Sequence, residues 1–195
     1  NTIGEADELI KIARHNKTIF QVGHLERFNA AIIASEGIVK NPIFIESQRL
    51  SPFPNRSTDI DVVLDLMIHD IDIIMNFVKS EIESVDAVGI PVISDKVDVA
   101  NARIKFKNGC VANVTASRVS KERTRKIILF QHDAYISIDY ALQNMTVFKK
   151  QGADLREQGA EKNWELPRIV EQEVNVEKKD SLLEEITAFV DSVIT

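Results

Sequence analysis

Cysteine is almost absent. Cys110 is the one thiol in 195 residues, so no disulfide can form within the chain, which fits a reducing cytoplasm. No apolar run reaches the length of a membrane-spanning helix, and the first residues lack the pattern of a signal peptide. Positive charge is in deficit. The 24 Lys and Arg stand against 30 Asp and Glu, for a net charge of −6, which argues against a broad nucleic-acid footprint. The four histidines do not fall at metal-ligand spacing. There is no internal repeat and no low-complexity tract. What is present, 44% hydrophobic and 28% charged residues, is ordinary for a globular protein with one substantial core, or one domain and part of another.

The chain is organised around Asp59 to Val78, DIDVVLDLMIHDIDIIMNFV. At roughly 100° per residue, Asp61, Asp65, His69, Asp72 and Asn76 share a band of roughly 80°, so an apolar helix carries one narrow polar stripe. Asp65 and His69 are four apart, so their side chains can meet. A carboxylate holding an imidazole is a common general base at neutral pH. The alternative reading is the solvent face of an amphipathic helix.

Before this helix, residues 5–16 read as a helix with acids early and bases late, and Thr18 to Val22 as a short buried strand. Helix then strand is half of a parallel α/β unit, and one strand cannot make a sheet. The chain therefore reads as a fragment whose remaining parallel strands precede residue 1. Gly23 to Asn29, GHLERFN, follows that strand, where open α/β sheets bind ligands. Phe28 to Gly37 reads as a helix, Pro42 to Leu50 as a strand, and Ser51 to Thr58 as a loop whose Ser57 or Thr58 caps the central helix.

After the central helix the period becomes two. Strands are expected at 83–92, 97–106, 110–119, 125–131, 135–140, 145–149 and 165–176. Asn108-Gly109 suggests a type I′ hairpin turn. Residues 150–163 read as a long exposed loop, and Asp180 to Ile194 as an amphipathic helix capped by Asp180 or Ser181. The expected fold class is α+β: a large, mostly antiparallel sheet with covering helices. The central helix covers one face. The other face, carrying Ile128 or Phe130, calls for a second copy of the chain, in a homodimer or a tetramer built from dimers.

Three stretches carry a resemblance: QVGHLERFN at 21–29, VVLDLMIHDIDI at 62–73 and ASRVSKERTRKIILFQHDAYISIDY at 116–140. Together they resemble the glucose–fructose oxidoreductase / inositol dehydrogenase / MocA family of nicotinamide-dependent sugar oxidoreductases. The wording of the first two is similar to the UDP-N-acetylglucosamine 3-dehydrogenase group within it. The resemblance implies a Rossmann domain that binds NAD or NADP, with residues 1–23 as its end. It implies a substrate and oligomerisation domain at 24–179 and a C-terminal helix at 180–195, and it matches Asp65 and His69 to the family's Asp-x-x-x-His pair. Neither a Gly-x-Gly-x-x-Gly run nor the family's Glu-Lys-Pro is present. In the family's layout both precede residue 1, so this chain alone is expected to be inactive.

On that resemblance His69 is the catalytic acid or base on a sugar hydroxyl, and Asp65 orients its ring. Asp65 is otherwise an acid favoured by the helix dipole. His24, Arg27 and Asn29 are candidates for the nicotinamide side of the cofactor; the alternative is helix capping by Asn29 and surface charge. Arg49, Arg118 and Arg125, with Arg56, Lys121 and Arg123, are candidates for an anionic sugar-nucleotide substrate. Their alternative is a solvated strand end. A dehydrogenase and a non-catalytic binding or assembly module both remain open, with no nucleic acid, membrane or metal partner expected.

Overall fold

The structure is a computed structural model that describes residues 2–53, 59–151 and 168–194. Helix α1 (Ile3–His15) begins at Thr2, whose side chain accepts the Glu5 N–H while the Glu5 carboxylate accepts the Thr2 N–H, the reciprocal arrangement of a capping box. Thr18 to Val22 then runs exposed and joins no ladder. The expected strand is not formed among the described residues, because a strand exists only with a neighbour to share its hydrogen bonds.

The expected helix over Phe28–Gly37 is divided in two. A 3₁₀ turn, Leu25–Phe28, precedes the short helix α2, Ala30–Ala34. Asn29 stands between them with an extended backbone, and its side-chain oxygen accepts the Ala31 N–H. An N-cap residue cannot itself be helical, which is why one helix became two.

Strand β1 (Phe44–Leu50) follows. The central helix opens with a π turn over Val63–Met67 and continues as α3, Ile68–Val78. Its last turn ends at Lys79 in the left-handed conformation, φ 49°. The predicted caps Ser57 and Thr58 lie outside the described residues, as do Arg56 and nearly all of the loop expected at 150–163. Strands β2 (Ile82–Ile90), β3 (Val99–Phe106), β4 (Val111–Ser117), β5 (Thr124–Phe130), β6 (Ala134–Asp139), β7 (Asn144–Gln151) and β8 (Arg168–Val174) come next, then helix α4 (Ser181–Ile194). Asp180 Oδ1 accepts the Leu182 and Leu183 N–H groups and caps α4.

The described strands form one sheet in the order β2-β3-β4-β1-β5-β6-β7-β8. All pairings are antiparallel except β1 with β4. The β3–β4 turn departs from the expected type I′. Gly109 has φ +89°, but Asn108 is not among the residues with positive φ. The Gly109 N–H bonds the Phe106 carbonyl, and the Phe106 N–H bonds the Cys110 carbonyl. This is a type I turn closed by a left-handed glycine.

One face of the sheet carries the core. Ile45, Ala100, Ala102, Ile104, Ala112, Val114, Ala116, Ile127, Leu129, Ile136 and Ile138 pack with Val62, Met67, Ile73, Ile74 and Val78 of the central helix. Alanine predominates on the core side of β3 and β4, and small side chains let a helix approach a sheet closely. The opposite face has no helix among the described residues. There Phe44, Phe130, Tyr135 and Phe148 form a continuous stack across β1, β5, β6 and β7, with ring centroids 5.7, 5.2 and 5.2 Å apart. Such spacings are favourable for tilted and edge-to-face aromatic pairs.

A buried ion pair ties the start of the central helix to the sheet. Arg118 Nε donates to Asp98 Oδ1 at 2.7 Å, and both side chains are fully buried. Arg118 also donates to the Ile60 carbonyl and Ser94 Oγ. Asp98 accepts the backbone N–H groups of Val92, Ile93 and Ser94. Burial alone would raise the Asp98 carboxyl, yet these donors hold it well below the usual carboxylate range. Removing one member of a buried pair strands its partner's charge. Asp98→Ala should therefore cost about 3–5 kcal/mol in stability, measured as a fall in the urea midpoint.

Candidate active site

The site is built where the 3₁₀ turn, the central helix and β1 meet. The core side of β1 should be apolar, yet Ser47 and Arg49 occupy it beside Ile45. The acid that answers them is Asp70, which is fully buried on the sheet side of α3. Arg49 Nε donates to Asp70 Oδ2 at 2.6 Å, Nη2 to Asp70 Oδ1 at 3.3 Å, and Nη1 to Glu26 Oε1 at 2.8 Å. Ser47 Oγ donates to Asp70 Oδ1 at 3.0 Å. The Arg49 guanidinium lies 5.4 Å from the centroid of the Tyr140 ring. Burial opposes its charge, but Asp70 and Glu26 together raise its pKa above the ordinary value for arginine.

Asn29 completes this floor. Its side-chain N–H₂ group donates to the Tyr140 carbonyl at 3.0 Å and to Glu26 Oε2 at 3.4 Å. The outer wall is a second ion pair. Arg27 grips Asp72 with two bonds, Nε to Oδ2 at 2.7 Å and Nη2 to Oδ1 at 2.6 Å, and His24 Nδ1 lies 3.6 Å from Asp72 Oδ2. This fork fastens the 3₁₀ turn to the central helix.

His69 sits half-buried among these groups. Its Nδ1 is buried and has no hydrogen-bond partner among the described residues. Burial is the first cause that lowers its pKa and the Arg49 cation the second, while Glu26 and Asp70 pull the other way; the net direction is down. At neutral pH the ring is uncharged and able to take a proton.

The structure places the expected site residues in these surroundings. No hydrogen bond joins Asp65 to His69 among the described residues. Asp65 falls within the π turn, where the Ile68 N–H reaches back five residues to the Val63 carbonyl. The wider turn changes the phase between positions 65 and 69 from that of an α-helix. Turns of this kind are frequent at functional sites. Arg49 and Arg118, expected to meet an anionic substrate, are both buried in ion pairs. Asn29, expected to meet a cofactor, is a buried cap. Arg27 is forked onto Asp72 and stays half exposed. Arg125 is exposed and stands opposite Arg49 in the β1–β5 register, on the same sheet face. Glu26, Asp70 and Tyr140 escaped the sequence reading. Their signal was the break in alternation along β1, which places an arginine inside and so requires a buried acid.

The fold is that of a known domain family. Residues 42–137 match the GFO/IDH/MocA C-terminal domain, and the chain belongs to that family. It is 35% identical over 190 residues, 97% of its length, to UDP-N-acetylglucosamine 3-dehydrogenase of Acidithiobacillus ferrooxidans. The solved structure of that enzyme superposes with a TM-score of 0.84 at 33% identity, over 98% of this chain and 59% of the other. A putative NADPH-dependent oxidoreductase from Desulfitobacterium hafniense has the same fold, with a TM-score of 0.75 at 15% identity, over all of this chain and 60% of that one. A levoglucosan dehydrogenase in complex with NADH and L-sorbose matches 80% of this chain and 47% of its own, with a TM-score of 0.63 at 18% identity. The chain thus spans about three-fifths of the curated relative's length.

The lowered His69 pKa has a thermodynamic consequence. Between that value and about 6.5, the unfolded chain binds more protons at this position than the folded chain. Stability therefore rises with pH across the window and falls on acidification through it. Calorimetry between pH 7 and pH 5 should show a steeper fall in Tm for the native chain than for His69→Gln.

Proposed function

We propose that this chain is the substrate-side domain of an NAD(P)-dependent dehydrogenase that oxidises a hydroxyl carbon of a sugar nucleotide. The carrying observation is His69, a half-buried imidazole whose buried Nδ1 has no hydrogen-bond partner among the described residues, on the helix that opens with a π turn. An uncharged imidazole takes the hydroxyl proton as hydride leaves the adjacent carbon. The cofactor, when bound, is the hydride acceptor. The described residues do not fit its main site, since the glycine-rich turn that would seat a pyrophosphate is not encoded in them. His24 and the exposed part of Arg27 are the residues of this chain that could face it. Arg125 is the candidate partner for the substrate's anionic group, because it is exposed on the same sheet face as Arg49. Asp65 remains a candidate for a substrate contact in the π turn, without the orienting bond to His69.

The rest of the dehydrogenase supplies a Rossmann-type domain in this reading, and a cytoplasmic setting suits the single buried thiol. Apolar side chains left open on α1, on Ile19 to Val22 and on α4 are the surface that domain would cover. Leu9, Ile12, Phe20, Leu183 and Ile186 are each at least half exposed. No described helix is long and apolar enough to cross a membrane.

A second reading, assembly without turnover, is favoured by the aromatic stack on the open sheet face. An apolar stripe on an uncovered sheet suits an isologous contact with a second copy, and both readings hold together in an oligomeric enzyme.

In the full-length enzyme, His69→Ala should lower kcat by roughly 10²-fold with KM changed less, as loss of a general base does. An undiminished steady-state kcat at neutral pH would remove His69 from the mechanism. For the 195-residue chain alone, titration calorimetry should detect no saturable NAD(H) binding, and micromolar affinity would reveal a cofactor site in this domain. Phe130→Glu should turn a dimer into monomers or insoluble protein. Light scattering from the native protein that shows a compact monomer at micromolar concentration would end the sheet-to-sheet reading.

A further inference from the structure

Glu185 is the buried residue of α4, 9% exposed. Its Oε1 is buried and has no hydrogen-bond partner among the described residues. No lysine, arginine or histidine of those residues pairs with it, and the Lys179 ammonium lies instead at 3.6 Å from Glu184. The carboxylate rests against Gly23. A Cβ at that position would come within 3.3 Å of Oε1 and 3.6 Å of Oε2. Gly23 thus leaves room for the acid, directly ahead of His24 and the 3₁₀ turn of the site.

Gln21, Gly23, Glu185, Ile186 and Phe189 line a hollow of about 190 Å³. Pockets for drug-sized ligands start at roughly 300 Å³, so this one is too small for a dinucleotide. It has the size of one long side chain. Ile186 and Phe189 offer apolar walls, and Glu185 offers acceptors only. A lysine or arginine matches that form, with an apolar stem and a charged tip that only donates.

A buried carboxylate with neither donor nor counter-charge is costly, and buried polar groups in native proteins have partners. Charge points the same way. Helix α4 carries Glu184, Glu185 and Asp191 and no lysine or arginine, which favours a basic surface opposite it. Ile186, on the rim of the hollow, is also one of the exposed apolar side chains left for a covering domain.

We propose that the Glu185 hollow is the socket for a lysine or arginine of the Rossmann-type domain of the same protein, an ion pair between domains made beside Gly23. The proposal rests on the reading that such a domain covers α1, Ile19 to Val22 and α4. The pair clamps α4 and residues 21–23 to that domain, one residue ahead of His24. It therefore sets how the cofactor half sits over the 3₁₀ turn.

Two measurements test the socket, and neither reads turnover. In the full-length enzyme, p-benzoylphenylalanine takes the place of Phe189 and is irradiated. The cross-link should fall on a lysine- or arginine-bearing peptide that precedes residue 1, within the same subunit as mixed isotope labelling shows. A cross-link only to another subunit, or only within residues 1–195, overturns the proposal.

Hydrogen exchange is then followed over residues 19–24 and α4 in Glu185→Gln. In the full-length enzyme this change leaves the partner's cation buried and unpaired, and protection should fall about tenfold or more. In the 195-residue chain alone it removes a charge that has no partner, and protection should hold or rise. An equal fall in both proteins, or none in the full-length enzyme, overturns the proposal. If the short chain does not fold alone, the cross-link decides. Turnover separates the two ideas. A cross-link as expected in a protein that oxidises no sugar nucleotide keeps the socket and ends the dehydrogenase reading. Turnover without that cross-link keeps the dehydrogenase and ends the socket.

Discussion

The buried bond between Arg49 and Asp70 is the constraint that the rest of the site depends on. Arg49 is placed inside by the pleat of β1, because Ile45, Ser47 and Arg49 must share a face. A guanidinium cannot lose its charge at that depth, so the element packed on it must supply an anion. Asp70 supplies it from α3, and Glu26 adds a second carboxylate from the 3₁₀ turn. One arginine therefore fixes the rotation of the central helix and the seat of the turn together. His69 inherits its position as the neighbour of Asp70.

The Arg118–Asp98 pair repeats this logic at the start of the central helix. Arg118 and Asp98 gather the 92–94 turn and the Ile60 carbonyl into one buried node. Asp61 Oδ1 accepts the Val97 N–H, and the Val62 N–H reaches the Val97 carbonyl. The helix start is thus held by polar contacts and its middle by an ion pair. Apolar packing fills the space between, where Met67, Ile73 and Ile74 meet the alanines of β4. Directional bonds set register here, and non-directional burial supplies most of the stability.

The surfaces left open fall into two kinds with different chemistry. Those of α1 and α4 are aliphatic, and α4 borders the 3₁₀ turn beside the site. The sheet's outer face is aromatic along one stripe and carries a hollow near β2 lined by Glu46, Asn101, Arg103, Asn113 and Thr115 with Val88. Aromatic rings that already stack on one another keep this half-buried stripe ordered. The site therefore lies on the opposite side of the sheet from that stripe, so a contact on the outer face and chemistry at His69 need not compete for the same surface.

The sequence by itself determined the α+β class, the period-two strands after residue 82, the central helix and the placement of His69 on it. Those are local properties, set by periodicity and turn chemistry. The resemblance to a dehydrogenase family was likewise legible, because GHLERFN and the Asp65–His69 spacing are contiguous stretches. Tertiary structure alone decided which charges are inside. Arg49, Arg118 and Arg125 look alike in the sequence, yet two are buried in ion pairs and one is exposed. Burial depends on which strand packs beside which helix, and the β1–β4 pairing joins residues more than sixty positions apart. The π turn that separates Asp65 from His69 is also invisible to a 3.6-residue period. It lies between a helix start tied to Val97, just ahead of β3, and a helix middle tied to β1.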